Sequence, residues 1–291
     1  MTAHLRSGSI YTSTARFDAG QRFLGEDEIR QLAPSVFATE AHDSRSAKFR
    51  PIATIEVLRL LDKEGFGVVG AVQSVARIED RKDYTKHMLR LRKRDDVQRR
   101  VGDNVFEVLL KNANDGTAAY DLLSGLFRIS CLNSLVSMST QLTTQKVRHS
   151  GDVAPKVIEG VFSVLNDADR ALSAPDQWGQ LQLSAPEQQL FAKAAHAIRF
   201  PVDEHNNATT NVKPEHLLKV RRTEDRQEDL WTVFNRVQEN VIRGGLDNTG
   251  LNAAGQLRRA STRAVKGIDQ STALNRALWT LGEEMAALKA A

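Results

Sequence analysis

The chain has 291 residues, of which 41% are apolar and 26% charged, and carries a formal net charge of +4. Its single cysteine, Cys131, excludes an intramolecular disulfide and a thiolate metal cluster. No run approaches the roughly 18–20 apolar residues of a spanning helix, and Met1–Phe17 lacks the apolar stretch of a secretory signal, so the expectation is a soluble, cytoplasmic protein without a membrane partner.

Residues 1–24 read as a polar, flexible arm. Gly25-Glu26-Asp27-Glu28 opens a short helix ending near Pro34, with acids in the first turn where the helix dipole favours them. Pro51 to Lys63 reads as a helix sided by Ile55, Leu58 and Leu61, with Gly65 as its stop. Phe66–Arg77, Lys86–Lys93 and Asn104–Lys111 follow as three strands. Asn112 to Gly116 is turn chemistry that also suits a helix N-cap. The spacing of Leu122, Leu126 and Ile129, with Leu123 and Phe127 beside them, predicts a helix over 118–136. Beyond 150 the pattern is helical: a Val153, Val157, Val161, Val164 stripe, then Pro186–Arg199, then Leu230, Phe234, Val237 and Val241 ending at Gly244-Gly245. Phe200–Pro214 reads as a loop, Leu246–Gly267 as a Gly/Asn/Thr-rich and then basic loop, and Leu274, Leu278, Leu281 and Met285 mark the last helix. The resulting expectation is an α+β fold. A three-stranded antiparallel sheet with packed helices fills 25–150, and a mostly helical region, 151–291, packs on that core and carries a basic loop at 246–267.

Cations are bunched in 77–100, 219–226, 236–243 and 258–276, which makes local fields larger than the net charge suggests. Within the second strand, a period of two puts Lys86, Arg90 and Arg92 on one face and His87, Leu89 and Leu91 on the other. Guanidinium groups pair bidentately with phosphate oxygens, so Lys86, Arg90, Arg92, Lys93 and Arg94 form one candidate nucleic-acid site, with Arg128 in support. The other reading of that row is a solvated face whose charge protects the sheet from aggregation. Arg258, Arg259 and Arg263, followed by Lys266, form a second candidate site able to close over a backbone, or else a loop pairing with nearby carboxylates. His87, on the apolar side, reads as a hydrogen-bonded core residue before a catalyst. Phe234 belongs to its helix's apolar stripe, whereas Trp231 stays open between packing and base stacking. No phosphate-binding glycine loop, metal-ligand spacing or nucleophile triad is present, so no cofactor, metal or catalytic residue is assigned.

Several local signatures carry a resemblance: Lys86-His87; Asn112 to Thr117; Gly125-Leu126-Phe127-Arg128 running into Cys131 to Val136; His149-Ser150-Gly151; Leu230 to Asn240 through Gly244-Gly245; and Asn275 to Trp279. Together, over about 25–288, they resemble the phage- and plasmid-related domain-of-unknown-function family 932. The chain departs from that pattern where Asn112-Ala113-Asn114 replaces a Ser and a His, and where Ser134 replaces a Gly. The resemblance implies a mobile-element setting and no defined reaction. The helix–β–β–β–helix order is similar, at the level of fold alone, to phage single-strand annealing proteins of the Red-beta and Erf kind.

The leading functional expectation is therefore a non-enzymatic, homo-oligomeric protein. It binds nucleic acid, single-stranded DNA above all, through phosphates, and promotes annealing or recombination. The alternatives are a protein-interaction factor acting against host defence and a metal-dependent nuclease built on Asp115 with His87 or His149.

Overall fold

The computed structural model describes residues 22–40, 53–75, 83–94, 100–101, 104–115, 118–128, 145–147, 153–166, 168–205, 207–251 and 257–290. Most of the N-terminal arm, Cys131, Asn133, the His149-Ser150-Gly151 motif and the tip of the 246–267 segment lie outside the described residues. The chain forms two compact units, Met1–Leu172 and Ser173–Ala291.

In the first unit, α1 (Glu26–Leu32) starts at Gly25, whose backbone N–H donates to the Glu28 carboxylate at 3.1 Å. Then α2 (Thr54–Lys63) buries Ile55, Val57, Leu58 and Leu61, and ends at Gly65, whose φ of +85° an L side chain would resist. The sheet contains β1 (Phe66–Gln73), β2 (His87–Lys93), β4 (Asn104–Asn112), β5 (Tyr120–Arg128) and β6 (Gln145–Val147), adjacent in that order and all antiparallel. A two-residue β3 (Arg100–Val101) also pairs with β4. Helix α3 (Val153–Leu165) packs on β4, β5 and β6. Gly160 lets it approach: a Cβ there would fall 2.5 Å from Leu122.

This corrects two expectations. The sheet has five principal strands rather than three, and the apolar stretch expected to be helical from 118 is strand β5 as far as Arg128. The cause is burial on both faces: Tyr120, Leu122, Leu126 and Leu123, Phe127 are all buried. A strand covered on both sides loses the apolar/polar alternation that would reveal it. No helix follows the Asn112–Asp115 turn, so its expected N-cap role does not apply.

The second unit is mostly helical. It contains the greater part of α4 (Ala168–Gly179), then α5 (Ala185–Arg199), α6 (Leu230–Arg243) and α7 (Ile268–Ala290). The Asp229 carboxylate caps α6, accepting from Thr232 N at 2.9 Å and Thr232 Oγ1 at 2.7 Å. Every residue of α6 from Thr232 to Ile242 is buried, polar ones included. Several of these side chains find partners: Gln238 donates to Asn275 at 2.8 Å, and Asn240 donates to the Leu217 and Lys219 carbonyls at 2.9 and 2.8 Å. Trp178, Trp231, Phe234 and Trp279 form one aromatic cluster, with Trp178 and Trp279 centroids 4.5 Å apart. Phe234 is core, as expected, and Trp231 packs beside it. Much of the 246–267 segment is a two-stranded ribbon rather than an open loop.

Candidate nucleic-acid interface

The second strand does not present a free cationic row. Arg90 and Arg92 are buried, and both bind Glu107 of β4, whose side chain is fully enclosed. Arg90 Nη2 donates to Glu107 Oε1 at 2.9 Å, Arg90 Nε reaches Oε2, and Arg92 Nη2 reaches Oε1. Local sequence builds this triad. β1 places Gly67 opposite Arg92 and Gly70 opposite Arg90, with the Phe23 ring filling the space a Gly67 Cβ would need, 2.2 Å away, and β5 places Gly125 opposite Glu107. A Cβ at Gly125 would lie 2.6 Å from the Phe127 ring, and that ring lies 3.9 Å below the Arg90 guanidinium. Burial alone would push the Glu107 carboxyl up. The charge and hydrogen bonds of Arg90, then those of Arg92, instead hold it below the ordinary carboxylate range.

The neighbouring cations differ in accessibility. Lys86 and Arg128 are part-buried, at the start of β2 and the end of β5. Lys93 is part-buried with its ammonium 5.7 Å from the Phe162 ring, whereas Arg94 is exposed, paired with Asp62 and lying over Phe23.

On the opposite face of β2, His87 is a core histidine, as its position implied. Its Nδ1 meets Ser35 Oγ and its Nε2 meets Thr54 Oγ1, both at 2.9 Å. Thr54 Oγ1 also accepts from Asn112 at 3.0 Å, and Asn114 donates to the Ser35 and Ala38 carbonyls at 3.3 Å. Burial pulls the His87 pKa down to about 4, only partly opposed by a backbone hydrogen bond with Thr85. With both ring nitrogens occupied inside the core, this imidazole is a packing element.

The second basic run has the other character. β7 (Gly250–Leu251) pairs antiparallel with β8 (Leu257–Arg258). The same register continues toward α6 through an Asp247–Ser261 bridge, Asn248 N to Ala260 O at 2.9 Å, and Thr262 N to Leu246 O at 2.9 Å. Residues 245–251 and 257–263 are thus the two arms of one ribbon. Alternation puts Arg258, Ala260 and Thr262 with Gly250, Asn248 and Leu246 on one side. That side rests on the 210–212 turn: Asn248 Oδ1 accepts from Thr210 Oγ1 at 2.9 Å and Asn211 N at 2.7 Å. Arg259, Ser261 and Arg263 occupy the other side, the two arginines about 13–14 Å apart along the strand. Asp247 shares this side, but its carboxylate accepts from Thr249 N at 2.9 Å. Arg258, Arg259, Arg263 and Lys266 are all exposed, and none has an ion-pair partner among the described residues.

The ribbon springs from the C-terminal end of α6, where Gly244 and Gly245 adopt φ of +68° and +74°. A Cβ on Gly244 would meet the Arg263 carbonyl carbon at 2.6 Å. Arginines collect here because a helix C-terminus carries unsatisfied carbonyls and negative partial charge. Arg199 donates to Val241 O at 3.3 Å and to Arg263 O at 3.4 Å, while Arg221 donates to Gly244 O and Asn240 Oδ1. Glu239 takes Arg222 at 3.0 Å and Arg243 at 2.8 Å. The runs at 219–226 and 236–243 signalled part of this collar in the sequence; Arg199, alone at a helix end, carried no signal.

A family model described as "Domain of unknown function (DUF932)" matches residues 41–279. Two proteins of Escherichia coli (strain K12), "UPF0380 protein YafZ" and "UPF0380 protein YfjQ", are each 42% identical to this chain over 264 residues. The match covers 91% of this chain and 92% of each relative. No solved structure matches the chain.

Proposed function

From a chain that belongs to the domain-of-unknown-function family DUF932, we propose a nucleic-acid-binding protein that holds backbone phosphates on the ribbon of its second unit. The observation that carries this reading is the set of exposed cations Arg258, Arg259, Arg263 and Lys266 without ion-pair partners among the described residues, in contrast to Arg90 and Arg92, whose charge Glu107 absorbs. An unpaired, solvated guanidinium loses little on meeting a phosphate and gains a bidentate, charge-assisted pair. A guanidinium already inside a buried triad would have to leave it first. Phosphate binding therefore falls to the second basic run, and Arg90 and Arg92 belong to the supporting scaffold. Annealing or recombination of single-stranded DNA is the finer form of the proposal. Fluorescence anisotropy with a labelled single-stranded oligodeoxynucleotide tests it: binding at low salt should weaken as salt rises, with a logarithmic slope of roughly −0.7 per phosphate neutralised. Absence of binding at low salt would refute the reading.

A further inference from the structure

Beside the cationic collar lies an apolar surface whose composition bears on strandedness. Phe200 follows the last residue of α5 and is part-exposed, and its neighbours Ile198 and Val202 are 37% and 55% exposed. The Phe200 ring lies 5.1 Å from the Arg199 guanidinium, the same group that donates to the Arg263 carbonyl at the ribbon's base. His196 holds the ring from the helix side, with centroids 5.1 Å apart, and is itself tied to Val212 O at 2.7 Å. Phe200 is thus a positioned aromatic one guanidinium away from the phosphate-binding ribbon. Across the last turn of α6, Val220 is 39% exposed between Lys219 and Arg221.

Exposed apolar groups framed by cations match a ligand that offers apolar faces and anionic charge together. A duplex hides its base faces in the stack; an unpaired strand presents them beside its phosphates. We infer that Phe200 is a base-stacking residue and that the site selects single-stranded nucleic acid, the phosphates lying along Arg259 and Arg263 and a base against Phe200 and Val202. This rests on the phosphate-binding reading and sharpens it to a substrate class.

The test compares the full-length protein with Phe200→Ala and Phe200→Tyr on three fluorescein-labelled probes of equal length: oligodeoxythymidine, an abasic oligonucleotide with the same phosphates, and a DNA duplex. Phe200→Ala should weaken oligodeoxythymidine binding roughly five- to a hundred-fold. Its abasic and duplex binding and its salt slope should not change, and Phe200→Tyr should retain most of the affinity. Tryptophan fluorescence checks folding, because all three tryptophans belong to the second unit's aromatic cluster. Equal losses on all three probes would assign Phe200 a structural role and overturn the inference, as would no loss on oligodeoxythymidine; either result leaves the phosphate reading intact. A wild-type protein that binds none of the probes refutes both.

Discussion

Replacing Glu107 with Gln should destabilise the sheet unit severely, and the size of the loss follows from the triad. Glu107 accepts from Arg90 Nε, Arg90 Nη2 and Arg92 Nη2, and its side chain has no solvent exposure; the two arginine side chains are only 8% and 9% exposed. Glutamine keeps the shape but removes the charge, and its amide NH2 would face a guanidinium, donor against donor. Two cations then remain desolvated without a counter-charge, which costs about 3–5 kcal/mol. Conversely, Arg94→Gln, which breaks an exposed pair with Asp62, should change stability little. Urea unfolding followed by far-ultraviolet circular dichroism reads the difference, and hydrogen exchange at 87–93 and 104–112 locates it. Tryptophan emission reports only the second unit. A Glu107→Gln loss under about 1 kcal/mol would mean that Glu107 does not hold the two arginines, and would return Arg90 and Arg92 to the candidate phosphate-binding residues.

Two further outcomes follow from the geometry. His87 titrates at about 4 in the folded protein against about 6.5 unfolded. The unfolded chain therefore binds the extra proton, and the His87 contribution to stability is intact above pH 6.5 and lost as pH falls toward 4, by about 3 kcal/mol in all. A His87→Asn variant, compared with wild type in unfolding titrations across that range, should show a shallower pH dependence; an unchanged slope would refute the assignment. Gly244→Ala combines a positive φ with a clash against the Arg263 backbone, and should cost about 2–4 kcal/mol while displacing the ribbon. A variant that keeps wild-type stability and oligonucleotide affinity would contradict the role of Gly244 at the ribbon's base.

How far the molecule could be read from its sequence varies with the kind of information each element needs. The α2 stripe, the core position of His87 and the α6 stop at Gly244-Gly245 were legible, because periodicity and glycine chemistry act within a few residues. Strand β5 was not: with Leu122, Leu123, Leu126 and Phe127 all buried, a doubly covered strand and a helix share one apolar pattern. The alternation of β2 gave the correct faces but not their environments. Whether Arg90 meets solvent or a carboxylate depends on Glu107, seventeen residues away and brought beside it by the β2–β4 register. The ribbon was read as a loop because its paired strands are short and its Gly, Asn and Thr content matches turn chemistry.

The most direct test of the central claim is single-stranded DNA binding by an Arg258→Ala/Arg259→Ala/Arg263→Ala variant, measured by anisotropy across a salt series beside the wild type. These three side chains are exposed and without ion-pair partners among the described residues, so the fold should be preserved. Affinity at low salt should drop at least roughly ten-fold, and the salt slope should flatten by roughly 0.7 for each phosphate that the variant no longer neutralises. Unchanged affinity with an unchanged slope would contradict the account and place phosphate binding away from the ribbon.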